Sequence, residues 1–258
     1  MNYITVIPAR YASQRLPRKP LLDIAGMPML QRVYLQVQKS RSARIVIATD
    51  HEEIYRCAQN FGAEVYMTRD DHASGTDRLA EIAERLQLDD DQIVVNVQGD
   101  EPLIPPQVID QVAGNLERNV SASVATVSEA IVDVEQYRNP NAVKVVSGGD
   151  GMALYFSRAT IPYHRDGAMD DTALAYFLQA ETAVSKHIGI YAYRAGLLRR
   201  FVNWPQATLE KIEKLEQLRV LENAEKIHVE RAVAAVPTGV DTELDLQKVR
   251  NIIAAGEQ

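Results

Sequence analysis

Short apolar runs alternate with amphipathic helical segments through the first 120 residues, and few folds satisfy that alternation. Tyr3–Ile7, Ala43–Ala48, Glu64–Met67 and Ile93–Val97 are brief and rich in β-branched residues, the pattern of strands buried on both faces. Between them, Leu30, Val33, Tyr34 and Val37 fall at i, i+3, i+4 and i+7. Leu79, Ile82, Ala83 and Leu86 repeat the spacing, as do Ile109, Val112, Ala113 and Leu116, and each set makes one apolar helix face. Pro105 and Pro106 suit the first turn of the last helix, where a missing N–H costs nothing. Strand and helix alternating at this spacing predict an α/β fold built on a doubly wound, mostly parallel sheet.

The pattern changes between about residues 120 and 200. Ser123–Val127, Ala142–Ser147, Ala153–Ser157 and Gly189–Arg194 follow one another without clear helices between most of them. Gly148 to Gly151 reads as a hairpin turn. This region is expected to be a mixed antiparallel lobe inserted in the sheet, within a single domain spanning 1–258. The stretch 164–186 has weak periodicity and is expected to be a loop with a short helix. Leu209, Ile212, Leu215, Leu218 and Leu221 recur every three residues. Such a series drifts around a 3.6-residue helix, so it predicts a break or burial on several sides. Ile227–Val229 reads as a strand. Thr242 with Asp245 resembles a capping box opening a final helix that carries Leu246, Val249 and Ile253.

Charge and cysteine usage exclude several classes. A net charge of −7 and a pI near 5.3 argue against bulk nucleic-acid binding. Cys57, in a helix expected over 51–60, is the only cysteine, which excludes a disulfide framework or a multi-cysteine zinc site. It reads as a small packing residue. No apolar run approaches the ~20 residues of a membrane span, and the N-terminus lacks the order of a signal peptide, so a cytoplasmic protein is expected. His51, His164 and His228 show no metal-ligand spacing.

Against this acidic background, Arg10, Arg15, Arg18 and Lys19 fall within ten residues, in the loop after the first strand. Loops at the carboxyl ends of strands are where open α/β sheets bind ligands. Guanidinium groups take phosphate oxygens in pairs, so the cluster suits a polyanion such as a triphosphate; a solvated basic loop accounts for the same residues. The glycine fingerprints of dinucleotide and P-loop binding are absent, so neither a dehydrogenase nor a P-loop NTPase is expected. Asp100, in Val97-Gln98-Gly99-Asp100-Glu101-Pro102, should lie just beyond a central strand, facing the basic loop. Asp241 comes immediately before the last helix. Two carboxylates from separate loops beside phosphates suit Mg2+, although each alone also reads as a turn or helix-start residue. Backbone N–H groups around Ser74, Gly75 and Thr76 could hold a polar ligand edge, as well as a plain N-cap. Arg158, His187 and Tyr191, at strand ends of the middle region, could read an acidic sugar or be routine lobe residues.

The segments IPARYASQRLPRKPL, HASGTDR, VQGDEP, NPNAVKVV, ALYFSRATIPY, HIGIYAYR, LEQLRVLENAEKIHV and TGVDT occur along nearly the whole chain. Together they resemble the 3-deoxy-manno-octulosonate (Kdo) cytidylyltransferase family, the CMP-Kdo synthetases. The basic loop alone would point only to the wider sugar nucleotidyltransferases. The resemblance implies a Rossmann-like nucleotidyltransferase that couples CTP to the anomeric hydroxyl of Kdo in lipopolysaccharide biosynthesis, with Mg2+ and as a homodimer whose 120–200 lobe serves sugar binding and dimerisation. It implies Arg10, Arg15 and Lys19 at the CTP phosphates and Asp100 and Asp241 at the metal, with Arg10, Lys19, Asp100 and Asp241 as the catalytic set. Ser74, Gly75 and Arg78 would complete the CTP site, and Gln98, Arg158, His187, Tyr191, Glu216 and Gln217 would line the sugar pocket. A transferase for another 2-keto sugar acid (8-amino-Kdo or sialic acid) or a non-catalytic CTP-binding homologue would share these motifs. One departure stands out: the family loop reads Leu-Pro-Gly-Lys-Pro, and Arg18 replaces the glycine. A positive φ at that position would strain Arg18; an ordinary φ would add a cation near the phosphates.

Overall fold

Residue parity along the strands sets the layers of the molecule. A computed structural model describes residues 2–12, 15–165, 170–181 and 184–256. Its strands are β1 (Tyr3–Ala9), the short ribbon β2 (Asp23–Ile24) and β3 (Met27–Pro28), β4 (Arg44–Thr49), β5 (Glu64–Met67), β6 (Ile93–Asn96), β7 (Val124–Ala130), β8 (Lys144–Ser147), β9 (Ala153–Ser157), β10 (Ser185–Arg194) and β11 (Ile227–Arg231). Among the described residues the main sheet runs β11-β7-β10-β6-β1-β4-β5. The pairs β6–β1, β1–β4, β4–β5 and β11–β7 are parallel, while β10 runs antiparallel to both β6 and β7.

Tyr3, Ile7 and Ala9 of β1 share one core with Ile93 and Val95 of β6 and with Ile188, Ile190 and Ala192 of β10. Helices α1 (Met29–Gln38), α2 (Glu52–Asn60) and α4 (Pro106–Arg118) cover that face with Leu30, Val33, Ile54, Val108 and Val112. The alternate residues Ile4, Val6, Val94 and Tyr193 enter the opposite core. There α3 (Gly75–Arg85) and α7 (Ala195–Phe201) supply Leu79, Ile82, Leu197, Leu198 and Phe201. Each such side chain, fully buried, contributes roughly 1.5–3 kcal/mol. The doubly wound reading of the sequence is what the structure shows, and no described helix is long and apolar enough to cross a membrane.

The antiparallel component divides in two. β7 and β10 sit inside the main sheet, whereas the hairpin β8–β9 extends from the end of β10. Its turn is the predicted glycine turn, closed by Gly148 N–H to Met152 O at 2.8 Å. The short helix α5 (Val134–Arg138) packs against α6 (Asp171–Glu181), whose Leu174 and Leu178 share a small core with Ile131, Tyr137 and Val184. Part of the expected loop over 164–186 lies outside the described residues.

The leucine series breaks as its drift requires. It forms α8 (Thr208–Glu213) and α9 (Gln217–Glu222), separated at Lys214, whose φ is 54°. The last helix, α10 (Glu243–Gly256), opens with the expected reciprocal cap: Asp245 N–H donates to Thr242 Oγ1 at 3.2 Å, and Thr242 N–H to Asp245 Oδ2 at 3.0 Å. Leu246 and Val249 of α10 bury with Val240, Ile24, Met29 and Leu16 of the basic loop. That cluster holds the loop after β1 against the C-terminal segment.

The carboxyl ends of β1 and β6 approach closely, and glycine makes this possible. A Cβ on Gly99 would lie 2.8 Å from the Pro8 carbonyl oxygen, inside van der Waals contact with backbone that cannot swing away. Gly99→Ala should therefore cost about 1–3 kcal/mol, the scale of overpacking, read as a lower urea midpoint at unchanged m-value. A wild-type midpoint would show that the two strand ends can part freely.

Candidate active site

Both sides of the site are built from loops leaving the carboxyl ends of β1 and β6. Arg10 follows β1 directly, Arg15 lies in the loop, and Lys19 opens a 3-10 turn over Lys19–Leu21. Beyond β6 come Gln98, Gly99 and Asp100. Asp241 arrives from the far end of the chain, its segment tied in by Val240 N–H to Asp100 O at 2.8 Å. Lys19 Nζ donates to Asp100 Oδ2 at 2.6 Å and to Asp241 Oδ1 at 3.0 Å. Arg15 Nη2 lies 3.2 Å from the same Asp241 oxygen. Desolvation of the Lys19 ammonium works against its charge, but Asp100, followed by Asp241, outweighs it and holds the pKa above the ordinary lysine value. Arg10 forms no ion pair with a carboxylate among the described residues, and it lines the cleft.

Two cavities adjoin here, each of about 430 Å3. The first is lined by Arg10, Arg15, Lys19, Asp100 and Asp241. The second, on the α3 face of the sheet, is lined by Thr76, Asn96, Glu101, His187, Tyr191, Tyr193, Glu216 and Gln217, with no lysine or arginine. Gly75, at the N-terminus of α3, and Gln98 line both.

Burial sets the protonation of the second cavity. The His187 ring is pushed down to about 3 by desolvation, so the imidazole is neutral near pH 7. Its Nε2 lies 3.1 Å from Thr126 Oγ1, beneath a β10 irregularity where the register skips Gly189 and Ile190. The Tyr191 ring lies 5.2 Å from His187 and stacks on Tyr193 at 5.6 Å. Burial also raises Glu216, whose carboxylate accepts from the Thr76 hydroxyl. Burial first, and the charge of Asp100 second, push Glu101 up to about 8.

Several residues inferred from the sequence lie elsewhere. Arg78 does not reach the cleft: it is 1% exposed, and its guanidinium binds Asp50 Oδ2 at 2.6 Å and Thr68 Oγ1 at 2.6 Å. A cation that deep must be paired, and Asp50 takes it. Arg158 is likewise turned away from the second cavity. Its Nε donates to Glu213 O at 2.7 Å and its Nη1 to Pro140 O at 3.0 Å, tying β9 to α8. The Ser74 hydroxyl is committed to capping α3, accepting from Asp77 N–H at 3.2 Å. It borders a separate groove with His72 and Arg199 and also hydrogen-bonds the Glu216 carboxylate, so of that pair Gly75 lines the cleft itself and Ser74 reaches it through Glu216. Arg18 has a φ of 59°, in the left-handed region that favours glycine; its guanidinium pairs with Glu53, away from the cleft. Arg10, Arg15, Lys19, Gly75, Asp100 and Asp241 do converge on one cavity, and Gln98, His187, Tyr191, Glu216 and Gln217 on the other. Sequence reasoning missed Asn96 and Tyr193, and read Thr76 only as a backbone donor or cap. Strand alternation carried the signal for Tyr193, two residues after Tyr191 on the same face.

Comparison with known proteins agrees with this architecture. Residues 4–227 match the cytidylyltransferase family. A 3-deoxy-manno-octulosonate cytidylyltransferase of Cellvibrio japonicus is 58% identical over the whole of both chains. The chain belongs to the 3-deoxy-manno-octulosonate cytidylyltransferase family. Its counterpart in Saccharophagus degradans is 53% identical, over 97% of this chain and 98% of that one. A solved CMP:2-keto-3-deoxy-manno-octonic acid synthetase complexed with CTP superposes with a TM-score of 0.87 at 40% identity, covering 99% of each chain. A cytidylyltransferase from Leptospira borgpetersenii shares the fold at 16% identity and a TM-score of 0.61, covering 98% of this chain and 87% of that one.

The depressed basicity of His187 has a measurable sign. Below pH ~6.5, the ordinary histidine value, the unfolded chain takes up a proton that the folded chain refuses. Stability should therefore fall as pH drops from 6.5 toward 3 and level off below that. NMR of the His187 ring should show a neutral imidazole down to pH 5; titration near 6.5 would contradict the enclosed environment.

Proposed function

We propose that this chain transfers CMP from CTP to the anomeric hydroxyl of 3-deoxy-manno-octulosonate, releasing pyrophosphate. One observation carries the reading: two cavities meet at Gly75 and Gln98, one lined by three cations and two carboxylates, the other by polar side chains without lysine or arginine. The first suits a triphosphate and the second a polyhydroxylated sugar. The shared boundary is where a sugar oxygen and an α-phosphate would meet.

Arg10, Arg15 and Lys19 bind the phosphates and stabilise charge that grows on the departing pyrophosphate. Gly75, with the N-terminus of α3 behind it, lies toward the nucleoside. Gln98, His187, Tyr191, Glu216 and Gln217 orient the sugar so that its anomeric oxygen lines up with the α-phosphorus and the leaving group. With Arg158 engaged elsewhere, the sugar carboxylate is assigned to the boundary, near Gln98 and Arg10, which has no carboxylate partner among the described residues. In the displacement, the anomeric oxygen forms a bond to the α-phosphorus as the bond to the pyrophosphate oxygen breaks. His187 is too weakly basic to take the hydroxyl proton, which leaves to solvent through the open cleft.

A divalent metal fits the residues present. Asp100 and Asp241 converge on one ammonium from separate loops, with side chains 30% and 51% exposed. Among the described residues no group of three or more His, Cys, Asp or Glu side chains could hold a metal alone, which leaves positions for phosphate oxygens and water, the ligation Mg2+ favours. Held there, Mg2+ would neutralise triphosphate charge. We assign the reaction to the cytoplasm and the 120–200 segment to homodimerisation; the exposed Leu154 of β9 and Tyr176 of α6 support the second assignment.

A pyrophosphate-release assay with CTP and Kdo, its 8-amino analogue or sialic acid tests the reading. Turnover is expected with Kdo, and its absence with every sugar would mark a non-catalytic CTP binder. Lys19→Ala should lower kcat/KM by about 3 kcal/mol, the scale of one lost charge-stabilising donor. Near wild-type kcat/KM would remove Lys19 from the phosphate site.

A further inference from the structure

The basic loop must be held in shape for its cations to face one cleft, and residues outside that cleft do the holding. Tyr11 follows Arg10 directly. Its backbone N–H donates to Asp50 Oδ1 at 3.2 Å, and its hydroxyl donates to Glu53 Oε1 at 3.2 Å. Its ring stacks on His51 with centroids 3.5 Å apart and planes 15° from parallel. At the other end of the loop, Arg18 pairs with the second Glu53 oxygen, and its guanidinium lies 6.0 Å from the Tyr11 ring centroid. Both ends of the loop are therefore pinned to one short stretch, residues 50–53, which joins β4 to the first turn of α2.

That stretch is itself rigidly placed. His51 caps α2, its Nδ1 accepting from Glu53 N–H at 3.2 Å. Asp50 is gripped by the buried Arg78, which also donates to Arg69 O at 2.9 Å. None of Asp50, His51 and Glu53 lines the cleft. The Arg18–Glu53 pair is half exposed, so its charge attraction alone is screened and weak. Its weight comes from sharing Glu53 with the Tyr11 hydroxyl, at a left-handed residue whose carbonyl also accepts from Leu21 N–H at 2.8 Å.

We propose that Asp50 and Glu53 are positioning residues for the phosphate-binding loop. They hold Tyr11 and Arg18, and through them set where Arg10, Arg15 and Lys19 point. Arg18 works here as a tether to Glu53 rather than as a further phosphate contact. The assignment rests on the proposed CTP site for its catalytic consequence, and on geometry alone for its structural one.

Glu53→Ala tests it with two independent readouts. In the nucleotide-free protein, tryptic cleavage after Arg15 and Arg18 should speed up about fivefold, the size of one lost hydrogen-bonded contact, with Tm lowered by no more than about 4 °C. In steady-state assays KM for CTP should rise by a similar factor while KM for the sugar stays put, and Glu53→Gln, which keeps the acceptor oxygen, should recover part of both. Wild-type cleavage rates and CTP KM in Glu53→Ala would overturn the proposal, and so would equal rises in both KM values. If Glu53→Ala does not fold, Tyr11→Phe removes the hydroxyl contact alone and decides by the same readouts. If the wild-type chain shows no turnover, the proposed function fails, and the cleavage rates still decide the tether.

Discussion

The ammonium of Lys19 bridges Asp100 and Asp241, and most of the site depends on that bridge. The three residues come from the start, the middle and the end of the chain, so their meeting requires the fold to be complete. β1 must lie beside β6, Val240 must reach the Asp100 carbonyl, and Leu16 must enter the core with Val240 and α10. The Lys19 side chain is only 14% exposed, so its ion pairs are screened less than surface pairs. Around it the cleft holds three cations (Arg10, Arg15 and Lys19) against two carboxylates (Asp100 and Asp241). That near-balance is what the proposed site needs, guanidinium groups for phosphates and carboxylates for a metal.

Strand parity separates the two cavities. The face that carries Ile4, Val6 and Val94 also carries Asn96, Tyr191 and Tyr193, so the sugar-side cavity opens on the α3 side of the sheet. β10 supplies this wall because it enters the sheet antiparallel to β6, with Tyr191 opposite Asn96. The irregularity at Gly189 and Ile190 skips two residues, an even number, so His187 and Tyr191 keep the same face. Burial then leaves His187 neutral and Glu101 and Glu216 hard to ionise, which suits a cavity for hydroxyl groups.

Local pattern made much of this legible in the sequence. Glu64–Met67 and Ala153–Ser157 form strands with the predicted bounds, the Thr242–Asp245 cap opens α10, and the leucine series breaks at Lys214. The convergence of Arg10, Arg15 and Lys19 with Asp100 and Asp241 could be anticipated because each follows a strand or precedes a helix at one edge of the sheet. Tertiary pairing hid the rest. Arg78 stands in a motif beside Gly75, yet its side chain points inward, because Asp50 at the end of β4 supplies the partner that a buried guanidinium needs. Arg158 reads as a pocket arginine until α8 presents the Glu213 carbonyl to it. No local pattern marks Asp50 or Glu53, whose importance comes from facing Tyr11 and Arg18 across the loop.

The central claim is that Asp100 and Asp241 hold a metal beside a triphosphate gripped by Arg10, Arg15 and Lys19. A crystal structure with CTP and Mn2+ in place of Mg2+, using the anomalous signal of manganese, tests it most directly. Manganese is expected bonded to oxygens of both Asp100 and Asp241 at about 2.2 Å, the range for hard divalent cations, with the triphosphate beside Arg10, Arg15 and Lys19. Manganese on other residues, or a triphosphate seated in the groove of His72 and Arg199, would contradict it.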